Sequence, residues 1–127
     1  MELAREALAT NFRAADLLIE LADATADQLD DLPFGVVRMD RQGIVADYNR
    51  FESNLSGLSP DRVIGRHFFE LIAPCTNNFM VASRFGEDSL DEQLDYVFTY
   101  KMKPTKVRLR LLKSPASGHQ YLLVEKT

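Results

Sequence analysis

The 127-residue sequence has one cysteine, Cys75, and two histidines, His67 and His119. A single thiol excludes an intrachain disulfide and suits a reducing cytoplasm. One cysteine and two histidines far apart in the chain supply no recognisable zinc set. No apolar run approaches the roughly 18–20 residues of a membrane-spanning helix. Met1-Glu2-Leu3-Ala4-Arg5-Glu6 lacks the basic flank and apolar stretch of a signal peptide. Positive charge is scarce: 15 Lys and Arg stand against 19 Asp and Glu, a net of −4. That balance argues against nucleic acid or an anionic membrane as the main partner. Also missing are a phosphate-cradling Gly-rich loop, a nucleophile elbow and a histidine pair at i, i+4. A cysteine–histidine hydrolase would need Cys75, a histidine and an orienting group to converge. The reading that remains is a single soluble domain that is not an enzyme, 46% hydrophobic and 27% charged.

Charge divides the chain near residue 32. Residues 1–31 hold eight acids and two bases, a net of −6, and no Gly or Pro. Leu3, Ala7, Leu8, Phe12, Ala15, Leu18 and Ala22 recur at spacings of three and four, which predicts an amphipathic helix. Thr25 with Gln28 forms a capping pattern for a second short helix. From Phe34 the period changes. Gly35 to Asp40 and Ile44 to Tyr48 read as two strands around a Gly-containing turn. Ser59-Pro60-Asp61 starts a helix that Gly65 ends, Phe68 to Ile72 forms another, and residues 78–90 are predicted as one more. Leu94, Tyr96, Phe98, Tyr100 and Met102 alternate with other residues, as on a strand with one buried face. Val107, Leu109 and Leu111 repeat the alternation, and His119 to Glu125 is a last strand. Two strands, a helical crossover and three strands joined by hairpins predict an α+β fold, a five-stranded antiparallel sheet with helices on one face.

Several residues could carry chemistry. Cys75 follows Pro74, which fixes the local backbone, and precedes Thr76-Asn77-Asn78, residues suited to starting a helix. A sulfur there could meet helix N–H groups that favour a thiolate, or it could be an ordinary buried thiol. Tyr48, Glu52 and Ser56 repeat at intervals of four across a strand-to-helix junction, so their side chains can point to one place. Each alone has an ordinary structural reading. His67, beside Phe68-Phe69, reads as a helix-surface or capping residue. The clusters Asp30-Asp31 and Asp88 with Asp91-Glu92 read as solvated surface.

Together these residues resemble the photoactive yellow protein family, a branch of the PAS fold. The matching stretches include Gln28-Leu29-Asp30, Phe34-Gly35, Tyr48-Asn49, Val63-Ile64-Gly65, Phe68-Phe69, Ala73-Pro74-Cys75-Thr76, Phe98-Thr99-Tyr100, and Met102 with Pro104-Thr105-Lys106-Val107. The resemblance implies a PAS core over residues 32–127 with a chromophore pocket, and residues 1–31 as its N-terminal helical cap. It implies that Cys75 carries p-coumaric acid (4-hydroxycinnamic acid) as a thioester. Tyr48 and a protonated Glu52 would hydrogen-bond the buried phenolate, and Ser56 would support the tyrosine. Val37, Phe68 and Phe98 match pocket-lining positions, and Met102 matches a methionine implicated in thermal return of the chromophore. Leu58 stands where the family commonly has an arginine that lids the ring. This departure bears on water exclusion and dark recovery rather than on attachment.

The implied function is blue-light reception. Light drives trans-to-cis isomerisation, the chromophore takes a proton from Glu52, and the carboxylate left in the core partly opens the fold or releases the cap. Implied partners are a downstream signalling protein or a C-terminal effector domain such as a histidine kinase, with a weak dimer also compatible. The alternative is a chromophore-free PAS interaction or dimerisation module. A flavin-binding PAS relative would need an Asn-Cys-Arg-Phe motif, which the sequence lacks. Finally, residues 101–113 carry six bases and no acids. Lys106, Arg108 and Arg110 share one strand face, which is expected to lie under the acidic N-terminal segment and hold it by charge.

Overall fold

In a computed structural model, the structure describes residues 11–99 and 103–127. Five strands, β1 (Gly35–Met39), β2 (Val45–Tyr48), β3 (Leu90–Phe98), β4 (Thr105–Lys113) and β5 (Gln120–Lys126), form one antiparallel sheet in the order β2-β1-β5-β4-β3. β1 and β2 are joined through a turn in which Gly43 has φ +88°, where a side chain would be strained and would press on the His67 ring. The predicted sheet and its three hairpins are therefore present, although β3 begins at Leu90, four residues before the strongest alternation.

Between β2 and β3 lies the helical crossover: α3 (Arg50–Ser56), α4 (Pro60–Val63), a π-helical turn (Phe68–Ile72), and 3-10 turns at Pro74–Thr76 and Ala82–Gly86. Pro60 occupies the first turn of α4 as expected. The His67 Nδ1 caps the π turn by accepting the Glu70 N–H at 3.2 Å. The helix predicted over residues 78–90 is not formed. The Asn78 side-chain oxygen accepts the N–H groups of Met80 and Val81, a local turn that competes with helix. Only the 82–86 turn remains before β3.

Strand alternation sorts the interior into two clusters. Val37, Met39, Leu109, Leu111, Leu122 and Val124 face the crossover, where they meet Tyr48, Phe68, Phe69 and Phe98. Val36, Leu112, Tyr121 and Leu123 face the other way and meet Phe12, Leu17, Leu21, Leu29 and Phe34. The N-terminal segment thus covers the sheet face opposite the crossover. It does so through two short helices, α1 (Leu17–Ala22) and α2 (Ala26–Asp30), the second with the full Thr25–Gln28 capping box. The single amphipathic helix expected through Phe12 does not run through these residues. Asn11 Oδ1 accepts the Arg13 N–H, making a turn ahead of α1; Phe12 is buried as expected, while Leu17 and Leu21 are buried in place of Ala15 and Ala22. Leu3, Ala7 and Leu8 lie outside the described residues.

Two buried arginines fasten this layer. Arg38 donates to the main-chain carbonyls of Leu21 and Ala24 at 2.5 and 2.9 Å, to Asp47 at 2.7 Å, and to the Tyr121 hydroxyl at 3.2 Å. Burial holds the Tyr121 phenol above its ordinary pKa, with Arg38 opposing that effect. Arg110 donates to the carbonyls of Phe12 and Ala14 at 3.0 and 2.7 Å and grips Asp91 with two further N–H groups. Charge alone is not the fastening. Among the described residues, Arg108 turns to Asp95 instead, Lys106 is exposed, and one exposed pair to this segment runs with reversed sign, from Arg13 to Glu125. Backbone carbonyls and apolar contacts among the described residues hold the segment at Arg38 and Arg110.

Candidate functional site

The site is built on the short span from β2 to α3. Tyr48 is the last residue of β2 and is paired with Val37 of β1. Asn49 then caps α3: its Oδ1 accepts the Glu52 N–H at 3.2 Å and the Val36 N–H at 2.9 Å, while its Nδ2 donates to the carbonyls of Leu29 and Phe34. This one buried side chain fixes the first turn of α3 on β1 and on α2. One helical turn brings Glu52 inward, where it is fully buried, and the next brings Ser56, 1% exposed. The Tyr48 hydroxyl donates to Ser56 Oγ at 2.8 Å, and Ser56 Oγ also accepts the Leu58 N–H at 3.1 Å. The spacing of four that singled out Tyr48, Glu52 and Ser56 therefore places all three in the interior at one junction.

Gly35 is part of the same construction. A Cβ there would overlap the Glu52 carboxyl oxygen, so any other residue must displace the buried end of this acid.

Beside the junction lies a cavity of about 410 Å³ lined by Ser56, Leu58, Ile72, Ala73, Pro74, Cys75 and Thr99. Its size falls within the roughly 300–1,000 Å³ usual for small-molecule sites. Cys75 sits in the 3-10 turn Pro74–Thr76 and is half-buried. No helix follows Thr76, so the sulfur does not sit at a helix N-terminus as the Thr-Asn-Asn sequence suggested. The turn is held from β3. Tyr96 donates its hydroxyl to the Cys75 carbonyl at 2.5 Å, Asn78 Nδ2 donates to the same carbonyl and to the Tyr96 oxygen, and Thr76 Oγ1 donates to the Ala73 carbonyl. Cys75 and Leu58 pack against the cluster that contains Val37, Tyr48, Phe68 and Phe98. Met102 lies outside the described residues.

A family model described as PAS fold matches residues 29–99. The photoactive yellow protein of Rhodothalassium salexigens is 36% identical over 119 residues, covering 91% of this chain and 95% of that one. The photoactive yellow protein of Rhodobacter capsulatus is 37% identical over 103 residues, covering 76% and 82%. The chain belongs to the photoactive yellow protein family. Its structure also resembles the photoactive yellow protein domain of the sensor histidine kinase Ppr from Rhodospirillum centenum, with TM-score 0.75 and 37% identity over 81% of this chain and 94% of that domain. Photoactive yellow proteins are photoreceptors built on the PAS fold, and the chain shares that fold and that sensory class. Among the described residues no helix is long and apolar enough to cross a membrane.

Within this family framework, Leu58 is a wall of the cavity and engages Ser56 through its own N–H. Asn49 and Tyr96 position the site but were not singled out for it from sequence. Asn49 carried a signal, since an Asn followed three residues later by Glu is a helix-start pattern. Tyr96 carried its place on the alternating face of a strand and its match to the family, neither of which points to the Cys75 turn.

Proposed function

We propose that the chain is a blue-light receptor that holds p-coumaric acid as a thioester on Cys75 Sγ. The observation that carries this reading is the arrangement at the cavity: the thiol on one wall, Ser56 on another, behind Ser56 the buried tyrosine bonded to it, and Glu52 buried one helical turn before Ser56 on the same helix. The residues fit the group. An otherwise apolar wall of Leu58, Ile72, Ala73 and Pro74 suits an aromatic ring, and hydroxyl and carboxyl donors suit a phenolate, which is costly in an apolar site without them.

When bound, p-coumarate supplies absorption of blue light and trans-to-cis isomerisation. Tyr48 O–H, turned from Ser56 Oγ, and a protonated Glu52 O–H would donate to the phenolate oxygen, with the Ser56 hydroxyl then donating to the tyrosine oxygen and orienting it. Burial beside a negative charge favours the protonated carboxyl. After illumination Glu52 gives up this proton and remains as a carboxylate in the core. A carboxylate buried in the core costs several kcal/mol, comparable with the whole stability of a small domain. The fold then partly opens, and the N-terminal segment to residue 31 is the layer it releases from the core over 32–127. Output passes to a downstream signalling protein or to a C-terminal effector, for which the match to a domain of a sensor histidine kinase is the support.

Incubation of the chain with an activated ester of p-coumaric acid should produce a blue-absorbing band that Cys75→Ala abolishes. A chain that stays colourless, or that takes up FMN in place of p-coumarate, contradicts the proposal.

A further inference from the structure

A second cavity, of about 250 Å³, lies between the β1–β2 turn, the π turn and the 82–86 turn. Among the described residues it shares no wall with the cavity at Cys75. Gln120, the first residue of β5, lines it. Strand alternation puts this side chain on the same sheet face as Leu122 and Val124, toward the crossover. Gln120 is 3% exposed, and its Oε1 is buried with no hydrogen-bond partner. Its Nε2 has none among the described residues either. Buried amides are nearly always paired, so this one is built for a partner that the chain does not supply. His67 stands on the same cavity. Its Nδ1 accepts the Glu70 N–H, which puts the proton of the neutral ring on Nε2. That nitrogen lies beside Gly43, where a Cβ would come within 2.9 Å of it, and it has no acceptor among the described residues. Phe69 and Phe85, both buried and with ring centroids 5.7 Å apart, supply apolar wall.

We infer that this cavity binds a small neutral ring whose edge carries an N–H beside a C=O, as in a single-ring lactam. Such an edge answers both ends of the Gln120 amide. The ring N–H donates to Oε1 while the ring carbonyl accepts from Nε2, in two parallel hydrogen bonds. The His67 Nε2–H is a further donor to a carbonyl on the ring, and the ring face packs on Phe69 and Phe85. Charged ligands fit worse. A carboxylate brings no proton to Gln120 Oε1. A cation meets the guanidinium of Arg41 at the rim, whose Nη2 is held by the carbonyls of Ser114, Pro115 and Ser117. The volume lies below the roughly 300–1,000 Å³ of drug-sized sites, which limits the occupant to about one ring.

Titration of the whole chain with 2-pyridone, followed in N–H correlation NMR spectra, tests this. Saturable shifts are expected at the backbone of Gly43 and Phe85 and at the Gln120 side-chain NH2, with a Kd of about 1 mM. N-methyl-2-pyridone keeps the ring and the carbonyl but has no N–H, and should bind about tenfold more weakly or worse. Gln120→Leu, which removes the amide, should weaken 2-pyridone binding by a similar factor. The comparison of the two pyridones on the wild-type chain stands whether or not that variant folds. Absence of saturable shifts at these positions, as when water alone fills the cavity, overturns the assignment. So do equal binding of the N-methyl compound, tighter binding of benzoate, and shifts confined to Ser56, Cys75 and Thr99.

Discussion

The two faces of the sheet use buried polar groups in different ways. On the crossover face, Tyr48, Glu52 and Ser56 come from nine consecutive residues, and the tyrosine–serine bond links side chains eight positions apart. On the N-terminal face, Arg38 and Arg110 bind carbonyls from 14 to 98 positions away. The first arrangement is locally assembled and adjacent to a cavity. The second is a clamp between distant parts of the chain. Yet β1 and β4 supply both faces by simple alternation, Val37 beside Arg38 and Leu109 beside Arg110. A disturbance that moves either strand in the pocket is therefore felt by an arginine on the far side.

Substitutions can separate the two faces. The largest effect is expected at Arg38. Replacing it with methionine leaves the Leu21 and Ala24 carbonyls and Asp47 without their donor, and should cost about 3 kcal/mol in denaturant unfolding. Proteolysis should then attack residues 11–24 first, while the dark spectrum of the reconstituted pocket stays in place. Gly35→Ala acts on the other face. Its Cβ overlaps the Glu52 carboxyl, so a loss of about 1–3 kcal/mol should come with a displaced absorption band. Tyr48→Phe removes one buried hydrogen bond to Ser56 and should cost about 1 kcal/mol. Its spectral shift should be larger than its stability change suggests. The smallest effect is at Arg13, whose exposed pair with Glu125 should contribute less than about 1 kcal/mol and fade with salt. A large salt-sensitive loss there would mean that ion pairs, and not Arg38 and Arg110, fasten the N-terminal segment.

Much of the crossover face was legible in the sequence because its signals are local. Proline at the start of α4, strand alternation and the spacing of four through Tyr48, Glu52 and Ser56 are set by neighbours within one or two turns, as is the Thr25–Gln28 box on the opposite face. The rest depended on partners far along the chain. Arg38 looks like one polar residue in a short strand, and nothing near it announces four acceptors brought in from three elements. Tyr96 likewise gains its meaning only when β3 lies beside the Cys75 turn. The helix expected over 78–90 failed for a local reason, because Asn78 satisfies the nearby N–H groups in a turn. For the described part of the N-terminal segment, charge predicted the correct neighbourhood, but Arg110 meets the carbonyl dipoles of Phe12 and Ala14 there.

The central claim is that Glu52 keeps a proton in the dark and loses it when the pocket is illuminated. Infrared difference spectroscopy on the p-coumarate-loaded chain measures this directly. The account predicts a protonated-carboxyl band that disappears on illumination in wild type and is missing from Glu52→Gln, whose light-induced structural change should also shrink. A carboxyl signal that light leaves unchanged, or one that persists in Glu52→Gln, would contradict it.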